Sequence, residues 1–183
     1  HTFDRRADGF ARGEGASTFS MTRDEAGLAV CGSAVRQDGR SASLTAPNGQ
    51  AQQGLLKAAL SDALTPVDAL TQNEADGTGT ALGDPIESGS LAQAILAGRK
   101  IVPALALGSI KGSLGHGESA AGTSGLLKLS LALVAARADA NPQLRVINPK
   151  VGSAFRTKSV ALPTQTGLLT AGLQAGGVSS FGY

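Results

Sequence analysis

Two stretches of this chain carry residue types that can do chemistry, at spacings that matter. The first runs Asn73-Glu74-Ala75-Asp76-Gly77-Thr78-Gly79-Thr80 and continues as Ala81-Leu82-Gly83-Asp84-Pro85-Ile86-Glu87. The second runs Leu107-Gly108-Ser109-Ile110-Lys111-Gly112-Ser113-Leu114-Gly115-His116-Gly117-Glu118. Each reads as a strand end, a glycine-rich loop and a helix start, the place where α/β proteins bring ligands and reactive groups together. The glycines of the first loop, G-x-G-x-x-x-G, are off the dinucleotide spacing, and no segment matches a Walker phosphate loop. The other reactive types are scarce. One cysteine, Cys31, and two histidines, His1 and His116, exclude an intramolecular disulfide and argue against a Cys/His zinc site, so no metal is expected.

The elements that must position these loops alternate. Thr18–Met21 and Leu28–Val35 read as strands around a turn at Asp24-Glu25-Ala26-Gly27. Cys31, in the apolar run Ala29-Val30-Cys31-Gly32, then reads as a small buried core residue. Leu55, Leu56, Ala59, Leu60 and Ala63 give Gln50–Ala63 helical spacing, and Val67–Asn73 reads as a short strand. Asp84-Pro85-Ile86-Glu87 is a helix start: aspartate to cap, proline at the first position, glutamate reaching back. That helix is expected to run to about Ala97 and stop at Gly98. Ala104–Ile110 reads as a buried strand, and Gly167–Leu173 with Gly176–Ser180 as a closing strand pair.

Ser119–Ala136 is apolar nearly all round apart from Lys128. Gly122, Ser124, Gly125, Lys128 and Ser130 interrupt it, whereas a membrane span needs about 20 predominantly apolar residues. A helix apolar on every side belongs in a large core, and a chain of 183 residues has little with which to cover it. A second half or a second chain is therefore expected, with the protein not membrane-spanning and part of an oligomer. The opening His1 points the same way, to a processed or partial product.

Composition narrows the class further. With 42% hydrophobic and 16% charged residues, the chain is neither a disordered tail nor a supercharged surface protein. Residues 1–98 hold 7 basic and 12 acidic side chains; residues 99–183 hold 9 and 2. Such a basic half suits an anionic partner such as a carrier protein or phosphate groups, or else simply complements the acidic half or a missing partner. No aromatic residues are interleaved with the basic ones, which argues against a nucleic-acid platform.

Taken together, the two loop motifs resemble the C-terminal half of β-ketoacyl synthases, the condensing domains of fatty-acid and modular polyketide synthases. That family carries H-G-T-G-T-x-x-G-D-P-I-E and then G-S-x-K-S-N-x-G-H-x-E-x-A-A-G. Further matches follow in order: Phe3-Asp4 through Ala7-Asp8-Gly9-Phe10-Ala11-Arg12-Gly13-Glu14-Gly15, then Val35-Arg36-Gln37-Asp38-Gly39-Arg40-Ser41, then Leu44-Thr45-Ala46-Pro47-Asn48-Gly49, and finally Val178-Ser179-Ser180-Phe181-Gly182-Tyr183. The resemblance implies a thiolase-like α/β fold, here its C-terminal half: a mixed sheet with Ser119–Ala136 as buried central helix and further helices flanking it. Residues 1–14 would be a lead-in from the N-terminal half and 15–183 the half-domain itself. It also implies an intracellular protein, in the cytoplasm or an organelle.

Family chemistry uses a cysteine nucleophile and two histidines that donate to the malonyl thioester carbonyl as CO₂ leaves. By resemblance, His116 matches the second histidine, Lys111 the loop lysine, and Glu118 the glutamate that lysine accompanies. Thr78 and Thr80 match threonines lining the phosphopantetheine tunnel. No bound cofactor is implied; the phosphopantetheine of an acyl carrier protein would be the substrate arm. Expected partners are thus an N-terminal ketosynthase half or some other protein chain, together with an acyl carrier protein.

Three departures matter. No segment matches the nucleophile motif, and Cys31 is no substitute. Asp76 stands where the family has its first histidine, and an ionised aspartate only accepts hydrogen bonds, unless burial keeps it protonated. Ser113 replaces the asparagine of K-S-N. Two readings follow. In one, the chain is part of a ketosynthase performing decarboxylative Claisen condensation, inactive when isolated. In the other it is a degenerate, non-catalytic subunit with a structural or assembly role.

Overall fold

The computed structural model describes residues 1–23, 27–41, 43, 46–100, 103–169 and 174–182. Asn48 opens helix α1 (Gly49–Asp62), its side chain accepting from the Gln50 and Ala51 N–H groups. A 3₁₀ turn over Val67–Ala69 leads into strand β1 (Leu70–Glu74), so the predicted strand begins three residues late and extends one further. Helix α2 (Gly83–Leu91) follows, and its last turn widens into a π-helical turn over Ala92–Leu96. Then come β2 (Leu105–Gly108), a single turn α3 (Lys111–Leu114), α4 (Ala121–Val134) and β3 (Arg137–Ala138). Helix α5 (Pro149–Phe155), β4 (Val160–Ala161), β5 (Gly167–Leu168) and β6 (Ala175–Val178) complete the order. The start of α5 is capped by Asn148, as α1 is by Asn48, with Pro149 at the first position.

The main sheet has the order β4-β2-β1-β6, and all its pairings are parallel. Gln72 faces Ala106, Asn73 faces Leu107 and Glu74 faces Gly108, while Glu74 also pairs with Val178 on the other side. Among the described residues the one antiparallel ladder is separate, between β3 and β5. The expected closing strand pair therefore does not form: β5 pairs with β3 and β6 with β1, and residues 170–173 lie outside the described residues.

The pleat of β1 sends alternate residues to opposite faces. Asn73 and Ala75 face α2, where Leu91, Ile95, Leu105, Leu107, Val151 and Phe155 form the core. Gln72 and Glu74 face α4. Helix α4 buries Ala121, Gly125, Leu129 and Ala132 on the sheet. Glycine in β6 makes this approach possible, because a Cβ on Gly176 would lie 2.7 Å from Leu129 Cδ1. The other side of α4 leaves Leu127, Leu131 and Val134 exposed, so the central helix is covered along one face only.

Thr18–Met21 and Leu28–Val35 are not strands: neither forms a ladder, and Met21, Val30 and Val35 are exposed, Val35 by 99%. The residue pattern suits a strand, but among the described residues no neighbouring strand lies beside either segment. Cys31 is exposed for the same reason and not buried as expected. Residues 24–26 of the intervening turn lie outside the described residues.

Residues 1–13, in contrast, are woven into the fold. Phe3 is buried, Asp4 forms a bridge to Ile147, and Asn148 N–H donates to Phe3 O. The Asp4 carboxylate accepts from the Arg6 side chain and from the Arg145 and Val146 N–H groups.

Candidate active site

The first loop leaves the end of β1 and turns at Gly77, whose φ is +53°. Glycine is required there: a Cβ would come within 2.6 Å of both Ser109 and Thr2. Two carboxylates from α2 hold this loop by its backbone. Glu87 Oε1 accepts from Asp76 N–H at 2.7 Å and Oε2 from Gly77 N–H at 2.8 Å. Asp84 accepts from Gly79 N–H and Phe3 N–H, both at 2.8 Å. The sequence predicted that Asp84 caps its own helix. It does not, because the loop folds back over the helix start and its orphan N–H groups take both carboxylates. Thr80 supplies a local contact there, accepting from Gly83 N–H at 3.0 Å.

Charge is concentrated here. Burial and the neighbouring Asp76 push the Glu87 carboxyl up to about 8, against the pull of its two backbone N–H donors. Asp84 is also raised, chiefly by burial. The Asp76 side chain is itself buried, and Oδ1 accepts from Lys111 Nζ at 2.5 Å and from Phe181 N–H at 3.2 Å. Lys111 Nζ also donates to Asp76 O at 2.8 Å. Asp76 thus spends its carboxylate as an acceptor that ties together three segments.

His116 sits on the second loop, half-buried. Its backbone forms a parallel bridge with Arg12: His116 N–H donates to Ala11 O, and Gly13 N–H donates to His116 O. Phe10 packs edge-on against the imidazole, with centroids 4.9 Å apart. Nδ1 accepts from Glu118 N–H at 3.3 Å, which places the ring proton on Nε2 and makes that nitrogen the donor. Burial first, then the Lys111 and Arg12 charges, hold the imidazole below its usual range, with Asp76 opposing them. The neutral Nε2–H form is therefore favoured.

The structure brings Asp76, Lys111 and His116 into one electrostatic neighbourhood. Glu118 is not Lys111's partner. It lies 58% exposed, at a left-handed φ of +48°, and its carboxylate contacts Arg12. Thr78 is buried and Thr80 half-buried, with their hydroxyls 3.3 Å apart. Sequence reasoning missed the Glu74–Lys128 ion pair at 2.6 Å, which crosses from β1 to α4 beneath the second loop. Glu74 also accepts from Ile110 N–H, and burial raises its pKa. A lone lysine in an otherwise apolar helix was the available signal, since a buried cation requires a partner.

The model for the β-ketoacyl synthase C-terminal domain matches residues 28–144. The chain belongs to the β-ketoacyl synthase family. It is 40% identical over 99% of its length to one polypeptide of the phenolphthiocerol/phthiocerol polyketide synthase of Mycobacterium tuberculosis, and 43% identical over 99% to a second polypeptide of the same synthase. It spans 10% and 9% of those two relatives. An oxazolomycin ketosynthase domain of Streptomyces albus superposes with a TM-score of 0.72 at 30% identity, over 77% of this chain and 24% of that one. A ketosynthase from module 6 of the Bacillus subtilis bacillaene synthase gives 0.77 at 26% identity, over 84% and 28%. The fold is the thiolase-like fold of these ketosynthases, of which this chain represents the C-terminal half. Among the described residues, no helix is long and apolar enough to cross a membrane.

Within this ketosynthase frame the position of the first family histidine presents an acceptor, Asp76, and that of the second presents a hydrogen-bond donor, His116 Nε2. Cys31 is exposed, and its Sγ donates to Ala29 O at 3.8 Å; among the described residues no hydrogen bond joins it to a histidine.

Proposed function

We propose that this chain is the C-terminal half of a polyketide synthase ketosynthase that handles carrier-protein thioesters, and that its site as it stands does not support decarboxylative condensation. The Asp76–Lys111 ion pair carries this reading. In the condensing reaction the malonyl C–C bond to the carboxylate breaks and CO₂ leaves. Its electron pair passes into the thioester as an enolate, whose carbon then attacks the acyl thioester on cysteine. The enolate oxygen needs donors. His116 Nε2–H supplies one. Asp76 supplies none, and its charge repels the malonyl carboxylate. The nucleophile comes from residues beyond this chain, in the N-terminal half, with which the lead-in 1–14 is grouped, leaving 15–183 as the half-domain proper. Thr78 and Thr80 line the path of the phosphopantetheine arm. Lys111 and Glu118 hold the site's charge balance, Lys111 directly and Glu118 through Arg12.

The test is Asp76→His in the ketosynthase completed by its N-terminal half. Release of CO₂ from malonyl-carrier protein is expected to rise by about 10²–10³-fold, the usual worth of an oxyanion donor. An unchanged rate would sink the reading that this position alone blocks the reaction. It would favour the alternative, a non-catalytic assembly component, to which the replaced donor also points. In that case His116→Ala leaves the assembly and its activity unaltered.

A further inference from the structure

Strand β1 and helix α2 share a small cavity in which about 10 Å³ is open to the centre of a water molecule. That is room for a single water and for nothing larger. Leu91 of α2 and Leu107 of β2 give it apolar walls, but Asn73 from β1 and Glu87 and Ser88 from α2 line it too. Asn73 is 3% exposed and Ser88 1%. Among the described residues, neither Asn73 Oδ1 nor Ser88 Oγ has a hydrogen-bond partner. A Cβ on Gly177 of β6 would stand 2.8 Å from Asn73 Oδ1, so the neighbouring strand closes on the amide oxygen as well. Orphaned polar atoms this deep cost free energy unless something bonds them. Asparagine is also a poor strand former, which makes its place inside β1 harder to explain by the backbone alone.

Glu87 is the third polar group. Its two oxygens accept from the Asp76 and Gly77 N–H groups. Burial and the Asp76 charge keep its carboxyl protonated at neutral pH, and the hydroxyl of a neutral carboxyl needs an acceptor. Asn73 Oδ1 is short of a donor and Glu87 of an acceptor, so a ligand in this small space must be both. Water is both, and Ser88 Oγ can give or take a further bond. Apolar cavities stay dry, whereas a cavity with two to four polar partners holds its water.

We propose that this cavity is the site of one ordered water molecule, which joins Asn73 and Ser88 to Glu87 and makes them positioning residues for the clamp that Glu87 sets on the Asp76 loop. The water ties β1 to α2 beside the point where both support that loop. The site goes beyond the chemistry proposed above and does not depend on it.

The experiment is oxygen magnetic relaxation dispersion of the solvent, which counts waters held longer than the protein takes to tumble. It is applied to the 183-residue chain, to Asn73→Val, to Ser88→Ala and to the double variant. Valine suits a strand and alanine a helix, so these variants keep the fold. The double variant should hold one long-lived water fewer than the parent. In urea unfolding, each single variant should lower the folding equilibrium constant about tenfold, because it leaves the other side chain and the water short of a bond. The double variant should lose less than the product of the two, since both side chains act through the same water. The Asp76 and Gly77 amide signals should shift in the double variant, where Glu87 has lost its partner. A parent chain with no long-lived water, or a double variant that keeps every one, overturns the site. So does stabilisation by either single variant, the result that dry, orphaned atoms would give. Loss of the water with the Asp76 and Gly77 signals unmoved overturns the positioning role of Asn73 and Ser88.

Discussion

Asp76 and His116 approach the site from two neighbouring loops, and the loops hold their backbones in opposite ways. The Asp76 loop is held by buried side chains: the Glu87 and Asp84 carboxyl groups take its N–H groups, and Lys111 takes the Asp76 side chain. The His116 end of the second loop is held by main-chain pairing with residues 11–13, and the charged contact at that end, Arg12 with Glu118, stays in solvent. The first arrangement fixes a side chain by spending its hydrogen bonds. The second fixes a backbone and leaves Nε2 of the imidazole free to donate. A site that must present a donor is served by the second kind of support, and Asp76 shows what happens when the donor position acquires the first.

The largest effect expected from this difference is at Lys111. Lys111→Met leaves the Asp76 carboxylate buried without its cation, a loss of about 3–5 kcal/mol in urea unfolding. The double variant Lys111→Met with Asp76→Leu should recover most of it, since no charge is then left unpaired. A single-variant cost below about 1 kcal/mol would place this pair with ordinary surface pairs and erase the contrast between the loops.

Glu87 gives the next effect, read as a pH slope. Its folded-state pKa, about 8, lies above its ordinary value of 4.5. Between those values the native chain keeps a proton that the unfolded chain has lost, so stability falls as pH rises through that window. Glu74 and Asp84, also raised, add to the fall, and His116, lowered, opposes it. The difference between the parent and Glu87→Gln isolates the Glu87 contribution: the variant should lose less stability from about pH 4.5 to pH 8. Parallel profiles would show that Glu87 is ionised in the native loop.

What the sequence revealed of this site follows the same division. Both glycine-rich loops, the helices α1 and α4 and the strands β1 and β2 were legible, because local pattern and motif agree there. Helix α5 was legible in principle, since Asn148-Pro149 is a helix start, but its seven residues carry little periodicity. The partners were not legible. Lys111 meets Asp76 across 35 positions, and nothing in either loop's spacing shows that the lysine turns to the aspartate and not to Glu118. Asp84-Pro85-Ile86-Glu87 has the pattern of a self-capping start, and only the folded loop shows those carboxylates turned outward from their own helix. At Leu28–Val35 the pattern was strand-like, but a strand also needs a neighbour, which no periodicity within one segment reveals.

At the His116 loop the effects should be small. Arg12→Ala removes an exposed pair and should cost under about 1 kcal/mol, with little change in the unfolding midpoint. A loss as large as that at Lys111 would mean the two loops are held by the same kind of contact after all.

The finest reading is the His116 titration itself, followed by NMR of the imidazole. The midpoint should lie below 6.5, with burial as its main cause. In Arg12→Ala it should move up, since a cation that opposes protonation has gone, though only slightly, because Arg12 is the weakest of the contributors. In Asp76→Asn it should move down, since the one charge favouring the imidazolium is removed. The ring should show the Nε2–H tautomer throughout, provided Glu118 N–H keeps its bond to Nδ1. If the proton resides on Nδ1 instead, the bond from Glu118 is not formed in solution and Nε2 is an acceptor. His116 would then share the defect of Asp76, and neither of the two positions where the family has a histidine would present a donor.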